Sequence, residues 1–278
     1  MAWSDMTELT RLIGWYKPSG LSGYADTDPI DSWAAAGGIT GTLVGTTTTR
    51  PLKRDAGING LAAADFDGTD DTLAGPLFTL LSTDNIAFCV AMYVDVHKNY
   101  GSFVNIDDNA AIVWAAEYLI TVSYVGGQFL IGSEHAGFKY EQTDLVTGPV
   151  IPATTDCLLT VRVGDSGTLR RVTGEPTQLQ TFSGSGPHSN SSGDAYLHLG
   201  WSGLAGSALN GRIAEVVIWD STADNEEIWI EGYLADKYGL TLPAGHLFKE
   251  APPDSAPATY NAAGGVLRRA NFGGGFQE

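Results

Sequence analysis

The chain has 278 residues, 43% of them hydrophobic, enough apolar material to pack a core in one large domain or two smaller ones. It carries 32 acidic and 15 basic residues, a formal charge of −17, and residues 249–278 hold three of each sign, so the whole excess sits on residues 1–248. An acidic body excludes nucleic-acid binding through phosphates, and no apolar run is long enough for a membrane span, so neither kind of partner is expected.

The start of the chain lacks a basic stretch followed by an apolar core, so no ordinary secretory leader is expected. Residues 5–13 read as a single helical turn, followed by an extended segment through Trp15 and Tyr16. From Pro18 to Arg54 the chain is rich in Gly, Thr, Ser and Asp. This predicts long loops with short strands, pinned to the core by Trp33. Strand candidates follow at 61–66, 86–96, 100–105, 111–116, 118–125, 127–132, 157–163, 168–173, 195–201 and 212–219. Many short strands with turn residues between them predict a sandwich or jelly roll.

Within LLTVRVGDSGTLRRVTGEP, Leu159, Val161 and Val163 share a face, residues 164–167 turn, and Leu169 to Val172 return as a hairpin. Cys89 and Cys157 lie in apolar strand candidates. They read as buried small hydrophobes, with an inter-strand disulfide as the alternative.

Residues 211–248 predict a strand, a helix and a stop. Simple alternation puts Ile213, Glu215, Val217 and Trp219 on one face of the strand and Ala214, Val216 and Ile218 on the other. Both sets are mostly apolar, which predicts an inner strand. Asp224 and Glu227 suit a helix start. Ile230, Tyr233, Leu234 and Lys237 recur at helical spacing, Gly239 suits a left-handed cap, and Pro243 forbids continuation. The expected fold class is all-β: a two-sheet antiparallel jelly-roll sandwich with one short C-terminal helix and an extended tail. Residues 1–248 form the domain, with a loop-rich segment over 1–54, and residues 249–278 form an arm.

This order of features resembles laminin-G-like (concanavalin A-like) jelly-roll modules over about residues 12–248. The resemblance rests on the closing strand and helix, on the hairpin ending at Gly174, and on LAAADFDGTDDTLAG at 61–75. Trp15, Trp33 and the pair Arg50–Pro51 add to it. Endings like YLADKYGLTLPAGH are similar to those of tailed-bacteriophage structural modules. That likeness implies a non-enzymatic virion protein, a head-surface decoration or tail component. Its partners would be other virion proteins, copies of itself and host-surface glycan. The alternative is a secreted or cell-surface carbohydrate-binding or adhesion module.

No catalytic residue is assigned. The Glu-x-Asp-x-x-Glu and Glu-x-Asp-x-Glu strings of glycanases on this fold are missing, Glu134 and Glu141 are seven apart, and Glu215 reads as a structural acid held by Arg212 or the helix. For a glycan, the candidates are loop residues that can stack on or hydrogen-bond a sugar: Tyr100, Asp107, Asn109, His135, Tyr140, His188, Asn190 and Asp194. Trp114, Trp201, Trp219 and Trp229 are assigned to packing. No cofactor is required. Calcium is the one ion with candidate ligands, of which Asp67, Asp70 and Asp71 are the best; Asp26, Asp28 and Asp31, or Asp107, Asp108 and Asn109, are weaker. The competing reading is that these acids simply cap turns. In the arm, Tyr260, Leu267, Arg268, Arg269, Phe272 and Phe276 are the candidate anchors to a neighbouring subunit.

Overall fold

A computed structural model describes residues 6–9, 12–76, 78–79, 86–96, 101–107, 116–122, 129–132, 153–163, 166–171, 178–183, 194–200, 208–220, 226–250 and 252–253. In chain order the first strands are β1 (Leu12–Tyr16), β2 (Ser32–Trp33), β3 (Gly37–Gly38), β4 (Leu43–Val44), β5 (Leu52–Ile58) and β6 (Leu61–Asp67). Next come β7 (Leu73–Ala74), β8 (Phe78–Thr79), β9 (Ile86–Val94), β10 (Gly101–Asp107), β11 (Ala116–Val122) and β12 (Phe129–Gly132). The last are β13 (Asp156–Val163), β14 (Ser166–Arg171), β15 (Gln178–Ser183), β16 (Asp194–Leu199) and β17 (Asn210–Asp220), followed by helix α1 (Glu226–Lys237).

Two antiparallel sheets result. The first runs β15-β14-β13-β9-β17-β1-β3, with β6 also paired to β17 and β5 to β6. The second runs β12-β11-β10-β16-β7-β4-β2, with β8 on β16. The chain is therefore an all-β antiparallel sandwich with one short helix among the described residues, as its turn-punctuated strand pattern predicts.

The sheets bury one core between them. Phe88, Val90 and Met92 of β9, Leu159 and Val161 of β13, and Ile213, Val216 and Ile218 of β17 meet Phe103, Val104 and Ile106 of β10 and Leu197 and Leu199 of β16. A second core lies on the far side of the first sheet. There Ala87, Cys89, Ala91, Val217 and Trp219 receive Trp229, Ile230, Tyr233 and Leu234 of α1. Small residues on β9 leave room for the helix to approach the sheet closely. Cys89 and Cys157 are both buried thiols, and they belong to opposite cores, which removes the disulfide alternative.

Two local expectations are corrected, and for Glu215 the helix is the alternative that holds. A bulge between Ile213 and Glu215 against β9 adds one residue to β17. It turns Ile213 to the inter-sheet core with Val216 and Ile218, while Glu215 lies among helix-side partners. The N-terminal turn is a 3-10 segment, Met6–Glu8, because pairing of Leu12 with Trp219 already commits the chain to β1. Glu215 is held by the helix and Trp15; Arg212 instead lies 3.6 Å from Asp65 and 3.8 Å from Asp95. Trp33 does anchor its excursion, fully buried, with its indole N–H on the Lys17 carbonyl at 3.0 Å and its ring edge-on to Tyr16.

After α1, Gly239 takes the left-handed conformation at φ +63° and the chain folds back. His246 Nδ1 accepts the Phe248 N–H, so its Nε2 carries the proton that meets Glu231 Oε2 at 3.1 Å. Phe248 lies 4.8 Å from the Trp229 ring, over Gly232, where any β-carbon would stand 2.7 Å from the phenyl ring.

Candidate functional site

Helix α1 covers part of the outer face of the first sheet, and the second sheet turns its own outer face away from the shared core. Cross-strand register defines one row across it. Gly132 pairs with Leu119, Leu119 with Asn105, Asn105 with His198, His198 with Ala74, Ala74 with Val44, and Val44 with Ser32.

At the middle of that row stand two polar side chains that strand alternation turns away from the core. Val104 and Ile106 flank Asn105, Leu197 and Leu199 flank His198, and all four belong to the inter-sheet core. Directly opposed residues have β-carbons about 4.5–5.5 Å apart. Asn105 and His198 are each 1% exposed. Their four polar atoms, Asn105 Oδ1 and Nδ2 and His198 Nδ1 and Nε2, have no hydrogen-bond partner. Leaving buried polar groups unpaired costs roughly 1–3 kcal/mol each, so such a pair needs an explanation. Burial pushes the His198 pKa down to about 4, which keeps its imidazole neutral near pH 7.

Around the pair the face changes character. Tyr196, two residues before His198 on the same face, is half-buried and can offer an aromatic surface. Toward β4 the row opens: Ala74 is half-buried and Val44 is 52% exposed. Exposure thus rises along the row from the buried pair through Ala74 to Val44.

Two glycan candidates from the sequence fall in this region. Asp107 ends β10 directly opposite Tyr196, and Asp194 opens β16 two places before Tyr196. Both were expected in loops and are in fact strand termini, since β10 pairs with β16 as far as Asp107 and β16 pairs with β8 from Asp194. Tyr100, Asn109, His135, Tyr140, His188 and Asn190 lie outside the described residues, as do Glu134, Glu141, Trp114 and Trp201. The arm residues Tyr260, Leu267, Arg268, Arg269, Phe272 and Phe276 also lie outside them. Asn105 and His198 themselves were missed. Each is a single polar residue in an apolar alternation, the usual mark of a solvent-facing strand position, and only their burial distinguishes them.

The acidic clusters have clearer local roles. Asp28 accepts the Ala25 N–H at 2.7 Å, Asp26 accepts the Asp55 N–H at 2.9 Å, and Asp31 pairs with Arg50. The carboxylates of Asp67, Asp70 and Asp71 gather within 4.8 Å of one another. Asp67 accepts the Thr69 N–H and Asp71 accepts the Asp67 N–H, so the same acids close their own turn. Burial, then the charges of Asp67 and Asp70, push the Asp71 pKa up to about 6. Calcium wants six to eight oxygens; these three side chains would be its first ligands, and turn closure accounts for the cluster equally well.

No family model and no curated protein matches the sequence. Solved structures do share its fold. Domain 4 of AbnA, an extracellular GH43 arabinanase from Geobacillus stearothermophilus solved with arabinotriose, gives a TM-score of 0.52 at 15% identity, over 76% of this chain and 92% of that one. A GH54 α-L-arabinofuranosidase gives 0.55 at 13% identity, over 87% of this chain and 62% of that one. The Trypanosoma rangeli sialidase in complex with sialic acid gives 0.50 at 9% identity, over 84% of this chain and 34% of that one. The likeness is one of fold, shared with parts of these three proteins. The chain spans nearly all of the arabinanase domain, less than two-thirds of the arabinofuranosidase and about a third of the sialidase.

These likenesses correct the expectation of a non-enzymatic protein. The same sandwich is built into chains of arabinanase, arabinofuranosidase and sialidase, so a missing glycanase string does not place a chain with this fold outside the enzymes. The expected phage-particle role gains no support from them.

Proposed function

We propose that this chain is a carbohydrate-handling β-sandwich domain, one that binds or processes a glycan on the outer face of its second sheet. The observation that carries the reading is the buried, unpartnered Asn105–His198 pair beside Tyr196, on a fold shared with sugar-handling chains. Sugar sites combine an aromatic surface with a few convergent hydrogen-bonding groups, and this part of the face supplies both. The likeness to an arabinanase domain solved with arabinotriose, nearly whole-domain in extent, makes arabinan-type oligosaccharides the first ligands to try.

Whether the chain also cleaves its glycan turns on paired carboxylates. Asp107 and Asp194 occupy diagonal positions on β10 and β16, where backbone separations run about 7–8 Å. The test is titration calorimetry against neutral and acidic oligosaccharides, with chromatography of the same mixtures for released sugar. Binding or turnover of a glycan supports the reading; neither binding nor turnover across the panel rejects it. Turnover that disappears in Asp107→Asn or Asp194→Asn would make the domain a processing one.

A further inference from the structure

Resting on the carbohydrate reading above, we infer that Asn105 and His198 together form the recognition pair for adjacent hydroxyl groups of a neutral sugar. The chemistry of the four free atoms selects the ligand class. The Asn105 amide offers two N–H donors and one carbonyl acceptor, and a neutral imidazole offers one N–H donor and one lone pair. Donors and acceptors are therefore mixed within one small patch. A hydroxyl group is itself donor and acceptor, so two neighbouring hydroxyls can satisfy such a patch.

An anionic group would be poorly served. A carboxylate accepts only, and would leave the Asn105 carbonyl and the imidazole lone pair facing negative charge. No cation is supplied at the pair, because burial holds His198 neutral at ordinary pH. An ammonium group would fail in the opposite sense, meeting three N–H donors. Ala74 and then Val44 continue the row outward from His198 with rising exposure, and Tyr196 stands beside the pair on the same face.

The experiment uses the full chain, with arabinotriose and malonate, an anion without hydroxyls, as probes in titration calorimetry. Arabinotriose is expected to bind and malonate to bind at least about tenfold more weakly, the margin that one unmatched buried polar contact supplies. Asn105→Ala and His198→Ala should each lower arabinotriose affinity about tenfold or more, and His198→Gln, which keeps a donor and an acceptor, should retain most of it. If either alanine variant fails to fold, the native protein decides through the imidazole nitrogen resonances of His198, which should move on adding arabinotriose. Undiminished affinity in both alanine variants, unmoved imidazole resonances, or a preference for malonate would overturn the inference while leaving carbohydrate binding intact. Failure of every glycan in a broad panel to bind or be cleaved would remove the carbohydrate reading itself.

Discussion

Trp15 and Glu215, 200 residues apart in sequence, meet through a buried hydrogen bond of 2.7 Å from the indole N–H to the carboxylate. The same carboxylate accepts the Tyr238 hydroxyl at 2.8 Å and the ammonium of Lys237. One acid on β17 thus ties the first strand of the described domain to the end of its helix. Burial of the tyrosines themselves, and then the charge of Glu215, push the Tyr238 and Tyr233 hydroxyls to raised pKa values.

Glu215→Ala is accordingly expected to destabilise the domain by roughly 3 kcal/mol, because it strands buried donors that lose this anionic acceptor. Glu215→Gln should cost less, since an amide oxygen still accepts two of the bonds. Urea denaturation curves of the three proteins check the order native, Gln, Ala.

The strap over α1 gives a second stability prediction. Phe248→Ala removes the tilted ring contact with Trp229 and opens the slot above Gly232, for a loss of about 2 kcal/mol. Gly232→Ala should produce a similar loss by the opposite route, because the new methyl meets Phe248. The double variant should lose less than the sum of the two, as the clash disappears with the ring; thermal melts measure this directly.

His198 imposes a pH dependence whose sign follows from its lowered folded pKa. Between the unfolded value of 6.5 and about 4 the unfolded chain binds more protons, so stability is fully present above about pH 6.5 and falls as pH drops toward 4. The span corresponds to about 3 kcal/mol for a single group. A His198→Gln variant should show a flatter stability profile over that interval.

Asp71 works in the opposite direction. Its folded pKa lies near 6, above the ordinary 3.8, so its contribution is present below about pH 3.8 and is lost as pH rises through 6. Asp71→Asn keeps an acceptor for the Asp67 N–H and should stabilise the protein at pH 8 by on the order of 2 kcal/mol, with little effect at pH 4. A calcium-dependent rise in Tm that this variant removes would assign the cluster to an ion as well as to its turn.

Much of the architecture was legible because it is written in periodicity. The β9 run Ile86–Val94 and the β17 run Asn210–Asp220 are apolar on both faces, as strands covered on both sides must be, and α1 carries its own stop in Gly239 and Pro243. The facing of residues along β17 was not legible. A single-residue bulge has no sequence period, and it reassigned Ile213 to the inter-sheet core. Two-residue strands such as Ser32–Trp33 and Leu43–Val44 were equally hidden, since they exist only through their partners. At the candidate site, the sequence marks residues that suit sugars by type. It cannot mark which polar residue ends up buried without a partner, which is the property that distinguishes Asn105 and His198.

The account is tested most directly by a crystal structure of the full chain with arabinotriose. It predicts sugar hydroxyls within about 3.2 Å of both the Asn105 amide and a His198 ring nitrogen, with the sugar lying along the Ala74–Val44 row. A sugar bound only elsewhere on the protein, with water alone between Asn105 and His198, would contradict it.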